Sequence, residues 1–484
     1  MPLNQNNYYL SCSNLSIEDI LIIVAYLIFC LLIGLSKISS IKTIRCYALG
    51  SKDDSIISTV FLVTTLFSTY IGARMTIGVI GRTYESGLVY GIAQIVRPAF
   101  WLVTGFVFAK NISKFKGCLS LSDIMEKMYG ISGKWIINIF SLPLSCGILA
   151  AQVLAMGKMF EYFIGTSQII GVLCGMIVLI IYSVFGGVRA VIVTDFAQFI
   201  ILFIAFPISA YVIYYAAGGW EIILANLPDT HKSIDFSNKN NITELVSFIS
   251  YCLLPCTAAT YIQRMLISGN EQQIKKIMKI NAILTLPLII VLLIISLSIK
   301  SVAPNLERAD IAMFYAIDKF LPVGVRGLVI AGILAVIMSS ADSWLNTTGI
   351  MLAHDVVKKM KPSISDRTEL IIAKYSSGLV GFIAITIALN AKSLLSLLWT
   401  IDNFWEPMII VPLCAGFLDI KITTKEFLCG VIFSIIGVIT SANILRGNYD
   451  IVTLVIGLLF NIIGVITMRY LFKFVKNDFF KKNY

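Results

Sequence analysis

The chain has 484 residues, 58% hydrophobic and 13% charged, with a formal net charge of +11. A soluble domain is about a quarter charged, so this composition excludes water as the main solvent. The basic balance would suit nucleic acid, but its distribution among the loops fits membrane topology better.

Apolar runs of about 20 residues, each long enough to cross a bilayer, recur from end to end. Residues 1–16, MPLNQNNYYLSCSNLS, lack a basic n-region and read as an external segment, not a cleaved leader. A first span at 17–36 leads to a basic connection ending at residue 54, with Lys37, Lys42, Arg45 and Lys52. Spans follow at 55–80 and 84–109, then Lys110, Lys114 and Lys116. Residues 119–130, LSLSDIMEKMYG, read as a short interfacial helix capped by Ser120 and Asp123. Spans at 132–163, 167–184 and 190–215 complete a first block, 55–215. The longest polar connection, 216–241, is too short to form a domain. Spans at 242–264, 274–300, 325–357, 368–389 and 393–418 form a second block, 242–418. Two more at 425–443 and 450–475 lie in an accessory segment, 419–476, and 477–484 form a tail. The total is about thirteen spans.

Lys and Arg concentrate on alternate connections, including Lys275, Lys276, Lys279, Lys358, Lys359, Lys361 and the tail lysines Lys473, Lys476, Lys481 and Lys482. That side should be cytoplasmic. An odd span number then puts the N-terminus outside and the C-terminus inside the cytoplasmic membrane.

The second span reads TLFSTYIGARMTIG, with Gly72 near its centre, and the seventh reads SYCLLPCTAATYIQR, with Pro255 near its centre. Broken helices persist at membrane depth only where protein buries them or a cavity is lined. Each opens a block of five. An odd block inverts its copy, and inverted repeats with broken first helices mark alternating-access transporters. Taken singly, Gly72 and Pro255 would be ordinary packing and kink residues.

Ionisable side chains within spans are functional candidates: Arg74, Arg97, Asp195, Asp342 and Glu406, with Asp402 shallower. Val336, Ser339, Ser340 and Ser343 share one face of a helix, and Asp342 lies about 60° round from Ser339. Hydroxyl and carbonyl oxygens suit a hard cation. A buried serine also commonly bonds back to its own helix. That habit accounts for either serine alone, not for the adjacent acid and a facing broken helix. The ten cysteines form no CxxC pair and read as small core residues. The two histidines, His231 and His354, fall in loops or at a helix end, which argues against haem and zinc chemistry. No HExxH or GxSxG is present.

These residues together resemble the sodium:solute symporters, which include sodium/proline, sodium/pantothenate and sodium/galactose carriers. The likeness runs over roughly 17–475. Its carriers are RCYALGS before the second span, LSLSDIMEKMYG, GGVRAVIVTDFAQ at 186–198, YIQRMLISGNEQQIKKIMKIN, and AGILAVIMSSADSWLN. The resemblance implies an all-α integral membrane protein with a leucine-transporter-type five-plus-five inverted repeat and accessory helices. It also implies a co-transported sodium ion held by the carbonyls of Ser68, Ile71 and Val336 and the hydroxyls of Ser339 and Ser340. Asp195 falls on the family's acid of the fifth core helix. Asp195 and Asp342 lie inward of that ion and read as its exit path.

The chain departs from the family's pattern at Tyr70, Arg74, Asp342 and TIDNFWEP, 400–407, so neither proline nor a sugar is indicated as solute. Tyr70, Arg74, Asp402 and Glu406 are the solute-binding candidates. Arg74 has two readings: a fork for a solute carboxylate, or an ion pair with Asp402 or Glu406 that holds the bundle. The expected function is sodium-coupled symport of a small amino-acid-like or carboxylate-bearing solute. No enzyme activity, nucleic acid or obligate protein partner is indicated. The competing readings are a proton-coupled carrier and a transporter-like sensor, for which the tail is too short a signalling domain.

Overall fold

The computed structural model describes residues 15–36, 41–50, 57–268, 270–391, 394–444 and 451–481. The external segment 1–14, most of the first basic connection (37–40 and 51–56) and the end of the tail lie outside the described residues. Backbone in lipid must satisfy its own polar groups. Accordingly, the described residues form helices and short connections, with no strand among them.

α1 (Ile17–Ser36) presents Ile17, Leu21, Leu32 and other apolar side chains outward. α2 (Ile44–Leu49) is a short helix that hydropathy does not reveal. Thr43 caps it, accepting from the Cys46 N–H, and Gly50 closes it at φ 74°. α3 (Thr59–Tyr70) ends at Ile71. The chain resumes in a π turn at Arg74–Gly78 that runs into α4 (Val79–Ser86), with a 59° bend between the halves. α5 (Leu88–Ala93) continues through a 3₁₀ turn to α6 (Pro98–Phe108), whose proline occupies the first turn where no N–H is needed.

α7 (Leu121–Ile164) holds two parts. Ser120 caps it, accepting from the Asp123 N–H at 3.1 Å, and Asp123 Oδ2 accepts from the Leu119 N–H at 3.0 Å. Gly130, at φ 68°, separates this short entry helix from the long span. α8 (Gln168–Ala216) has 49 residues, with non-helical Gly187 at φ 55°. Straight, it would be about 74 Å long, more than twice the bilayer's apolar thickness. α9 (Gly219–Asn226) and α10 (Asp229–Lys232) occupy the polar connection. α11 (Lys239–Cys252) and α12 (Ala259–Ile267) are the halves of the second broken helix, with Leu253–Ala258 non-helical between them.

α13 (Glu271–Val302) precedes α14 (Ala312–Phe320), which hydropathy places in a connection. Its Met313, Phe314 and Ile317 are buried, so packing rather than a long apolar run fixes it. α15 (Val325–Ile350) continues through a π turn, Met351–Val357, into α16 (Lys358–Met360). α17 (Asp366–Asn390), α18 (Leu394–Phe417), α19 (Thr424–Ile444) and α20 (Ile451–Lys481) complete the order.

Among the described residues nine helices are long and apolar enough to cross a membrane, or ten with the bent pair α3–α4. The expected thirteen needs three more, from α8 as two passes, from the broken pair α11–α12, and from α18.

α15 is the hub. Nearly every side chain from Gly327 to Met351 is buried, against α8, α7, α17, α1 and α3. A helix buried on every side belongs in the middle of a bundle. Asp19 of α1 fixes its start: Oδ1 accepts from the Gly324 and Gly327 N–H groups at 2.8 Å each, and Oδ2 accepts from Arg326 Nε at 2.8 Å. At the other end, Ser120 donates to Asp355 (2.7 Å). His354 contacts both Asp123 (3.2 Å) and Glu369 (2.7 Å). Lys134 lies 3.0 Å from Asp123 and 3.6 Å from Asp355, so a cation already serves both acids. The cluster is therefore an ion-pair junction of α7, the π turn that follows α15, and α17.

Candidate ion and solute site

Two unwound segments face the centre of the bundle. Where α3 ends, the last carbonyls lose their intrahelical partners. Gly72 is required there by proximity: a Cβ would lie 2.8 Å from both Gln152 Nε2 and Ser340 Oγ. The amide freed next to it, Ala73 N–H, donates to Gln152 Oε1 at 2.9 Å. The second break is served the same way, with Cys256 N–H donating to Thr104 Oγ1 at 2.9 Å. Side chains from α7 and α6 thus compensate both breaks, as an apolar environment demands.

The proposed ion ligands come together across α3 and α15. Ser339 Oγ lies 3.1 Å from the Ser68 carbonyl and 3.0 Å from the Val336 carbonyl. It has one proton, so it satisfies one of them at a time. The back-bond within its own helix is present, and so is the contact to the broken helix. Ser340 lies beside Gly72 on the cavity wall, and Ile71 is buried at the break. Ser343 continues the face and meets Thr69 Oγ1 at 2.9 Å.

Beyond the serines lies a polar layer. Asp195 is fully buried: Thr65 Oγ1 donates to its Oδ2, and Ser68 Oγ donates to its backbone carbonyl at 3.3 Å. Asp342 is fully buried too, accepting from Tyr182 OH at 2.8 Å. Among the described residues the other carboxylate oxygen of each acid has no hydrogen-bond partner. Arg189, six residues before Asp195, donates to the Gly50 carbonyl. The cation in this layer is Arg264, the last residue of the expected seventh span, 242–264, which depth alone does not single out. It is fully buried, donates to Ser343 Oγ at 2.8 Å and to Gln263 Oε1 at 3.2 Å, and lies in electrostatic range of both acids. The signal that could have found it is helical phase. Gln263 and Arg264 sit one turn beyond Thr260 and Tyr261, on a short half-helix with no lipid-facing stripe.

The cavity opens on the other side of the serines, with about 660 Å³ of atom-free space, part of it open to solvent. Tyr70, Arg74, Asp402 and Glu406 all line it. Arg74 forms an ion pair with Asp402, its side chain 21% exposed and that of Asp402 4%. Arg97, a candidate by depth alone, also lines the cavity. It donates to Tyr70 OH at 3.1 Å and Gln94 Oε1 at 3.2 Å, and lies over Phe248 at 4.8 Å. Tyr251, Tyr261, Trp344 and Trp405 supply aromatic wall. Spacing rules marked none of these four, because an aromatic residue in an apolar span is ordinary core.

Comparisons with known proteins agree with this geometry. The chain is 24% identical over 327 residues to the sodium/pantothenate symporter of Haemophilus influenzae, covering 65% of this chain and 67% of that protein. It is 24% identical over 461 residues to the sodium/glucose cotransporter of Vibrio parahaemolyticus, covering 87% and 84%. Among solved structures, a Na+-coupled sialic acid symporter in a substrate-bound outward-open state superposes with a TM-score of 0.78 at 19% identity. That match covers 93% of this chain and 96% of the other, and establishes the leucine-transporter-type fold. The sequence model of the sodium:solute symporter family matches residues 47–434, and with the two broken helices and the serine-bearing hub this places the chain in the sodium:solute symporter family.

Proposed function

We propose that this sodium-coupled symporter carries an amino-acid-like or carboxylate-bearing solute by alternating access across the cytoplasmic membrane. In this reading it uses about thirteen spans, N-terminus outside and C-terminus inside. The observation that carries it is the contact of Ser339 with the Ser68 carbonyl beside a cavity that holds two arginines. Sodium takes the carbonyls of Ser68, Ile71 and Val336 and the hydroxyls of Ser339 and Ser340. Asp195 and Asp342 lead it to the cytoplasm. The solute occupies the cavity among Tyr70, Arg74, Asp402 and Glu406, and undergoes no chemistry. The two five-helix blocks, 55–215 and 242–418, move against each other.

The test is uptake of a labelled solute panel into proteoliposomes, with an inward sodium gradient or with choline in its place. Accumulation of a carboxylate-bearing solute with sodium alone is the expected result. The carboxylate oxygens of Asp195 and Asp342 that lack a hydrogen-bond partner among the described residues favour one second reading, proton coupling. Uptake driven equally by a pH gradient without sodium would select it.

A further inference from the structure

The charges lining the cavity do not all cancel. Arg74 and Asp402 neutralise each other. Arg97 is held by Tyr70, Gln94 and the rings of Phe248 and Tyr251, and meets no carboxylate among the described residues. Glu406 is the counterpart. It lies one turn beyond Asp402 on α18, half-buried on the cavity wall, with no hydrogen bond or close ion pair among the described residues; the cation nearest in effect is Arg74, which Asp402 already pairs. A carboxylate withdrawn from water within a membrane protein is unfavourable unless a cation compensates it.

The surroundings of Glu406 select the kind of cation. A hard ion needs several oxygen ligands, and with Asp402 paired to Arg74 this wall leaves one uncommitted carboxylate, among rings. Tyr251, Tyr261 and Trp405 line the same cavity. Trp405 donates its indole N–H to Thr257 Oγ1 at 3.2 Å, so its polar end is already engaged. Aromatic faces attract an organic cation through their quadrupole. A carboxylate flanked by rings therefore matches an ammonium group on a carbon skeleton.

We propose that the transported solute carries an alkylammonium group, that Glu406 receives it, and that Tyr251, Tyr261 and Trp405 enclose it. The proposal rests on the symport reading, and it narrows the solute class. A solute charged only negatively leaves Glu406 unpaired and is repelled by it. A zwitterion matches both uncommitted charges, its anionic end facing Arg97.

Cys256 is a buried free thiol on the same cavity wall and reports on occupancy there. The full-length protein is labelled with two methanethiosulfonates of matched size, one bearing trimethylammonium and one sulfonate. Modification of Cys256 is read by peptide mass spectrometry. The cationic reagent should be favoured about tenfold beyond its ratio on a small thiol in solution, and Glu406→Gln should remove that preference while Glu406→Asp keeps most of it. Propylammonium should protect Cys256 from a neutral reagent, and propionate should not. Preference for the sulfonate reagent, or a cation preference unchanged in Glu406→Gln, overturns the proposal. Replacing sodium by N-methylglucamine tests the symport reading separately. A sodium effect on labelling without cation preference sinks the ammonium alone. Cation preference without a sodium effect sinks the coupling and leaves the ammonium standing.

Discussion

Ser339 and Ser340 are adjacent, yet their surroundings differ. Ser339 bridges two carbonyls, one on each helix, whereas Ser340 faces the break at Gly72. Ser340→Ala removes an oxygen with no hydrogen-bond partner among the described residues to lose, so it should raise the sodium concentration for half-maximal uptake by about tenfold, as loss of roughly 1.4 kcal/mol does. Ser339→Ala should weaken sodium activation similarly or less, and solute affinity at saturating sodium should stay near normal for both. An unchanged sodium dependence in the double variant would remove the ion site. Asp195→Asn should slow turnover, measured by solute counterflow against net uptake, while leaving the competing solutes the same. A changed competitor profile would put Asp195 in the solute cavity. Arg74 is the residue whose role its ion pair leaves divided. Arg74→Lys keeps the charge and loses the planar fork. A carboxylate fork predicts a large loss of solute affinity with sodium binding retained. A purely structural pair with Asp402 predicts a lowered melting temperature and near-normal affinity. Sequence spacing supplied the serines and Arg74, while the choice between Asp402 and Glu406 as its partner required the fold.

At the scale of elements, the two breaks depend on side chains distant in sequence. Gly72→Ala places a methyl against Gln152 and Ser340. Overpacking of this kind costs about 1–3 kcal/mol, and here it also pushes Gln152 from the Ala73 amide. The variant should lose both heat stability and sodium affinity. Thr104→Val, which deprives the Cys256 amide of its acceptor, should lower stability by about 1–3 kcal/mol without altering sodium affinity. Loss of sodium affinity there would show that the breaks act as one unit. In the connection between α9 and α11, burial holds the His231 imidazole below its ordinary value, with Nε2 3.0 Å from the Tyr84 carbonyl. A group whose folded value is depressed stabilises as the neutral form, and that stability is lost as pH falls through the unfolded value, about 6.5. Protection factors in 219–232, corrected for the intrinsic exchange rate, should therefore fall below that pH in the wild type, and His231→Asn should flatten the dependence. Neither α10 nor His231's burial was legible in the sequence, because this connection has no apolar period.

For the whole molecule, inward movement of one sodium charge releases about 2.3 kcal/mol per 100 mV of inside-negative potential. Solute accumulation should accordingly rise roughly fiftyfold per sodium ion when 100 mV is imposed on proteoliposomes, and it should collapse when sodium is replaced at fixed pH. Accumulation that follows a pH gradient instead would move the coupling to Asp195 and Asp342. The sequence by itself determined that the chain is helical and membrane-bound. Apolar runs of bilayer length leave no other backbone solution for a chain with this little charge. It also marked Gly72 and Pro255 as breaks, since a glycine or proline at mid-depth weakens the very helix that lipid otherwise enforces. Tertiary structure alone decided which charges meet. Arg264 joined Asp195 and Asp342 because a short half-helix turns it inward. Arg74 took Asp402, leaving Glu406 to the cavity. Helical period gives the face of one helix, but the pairing of two faces depends on how the helices rotate and cross. That is set by the packing of α15 against all its neighbours at once.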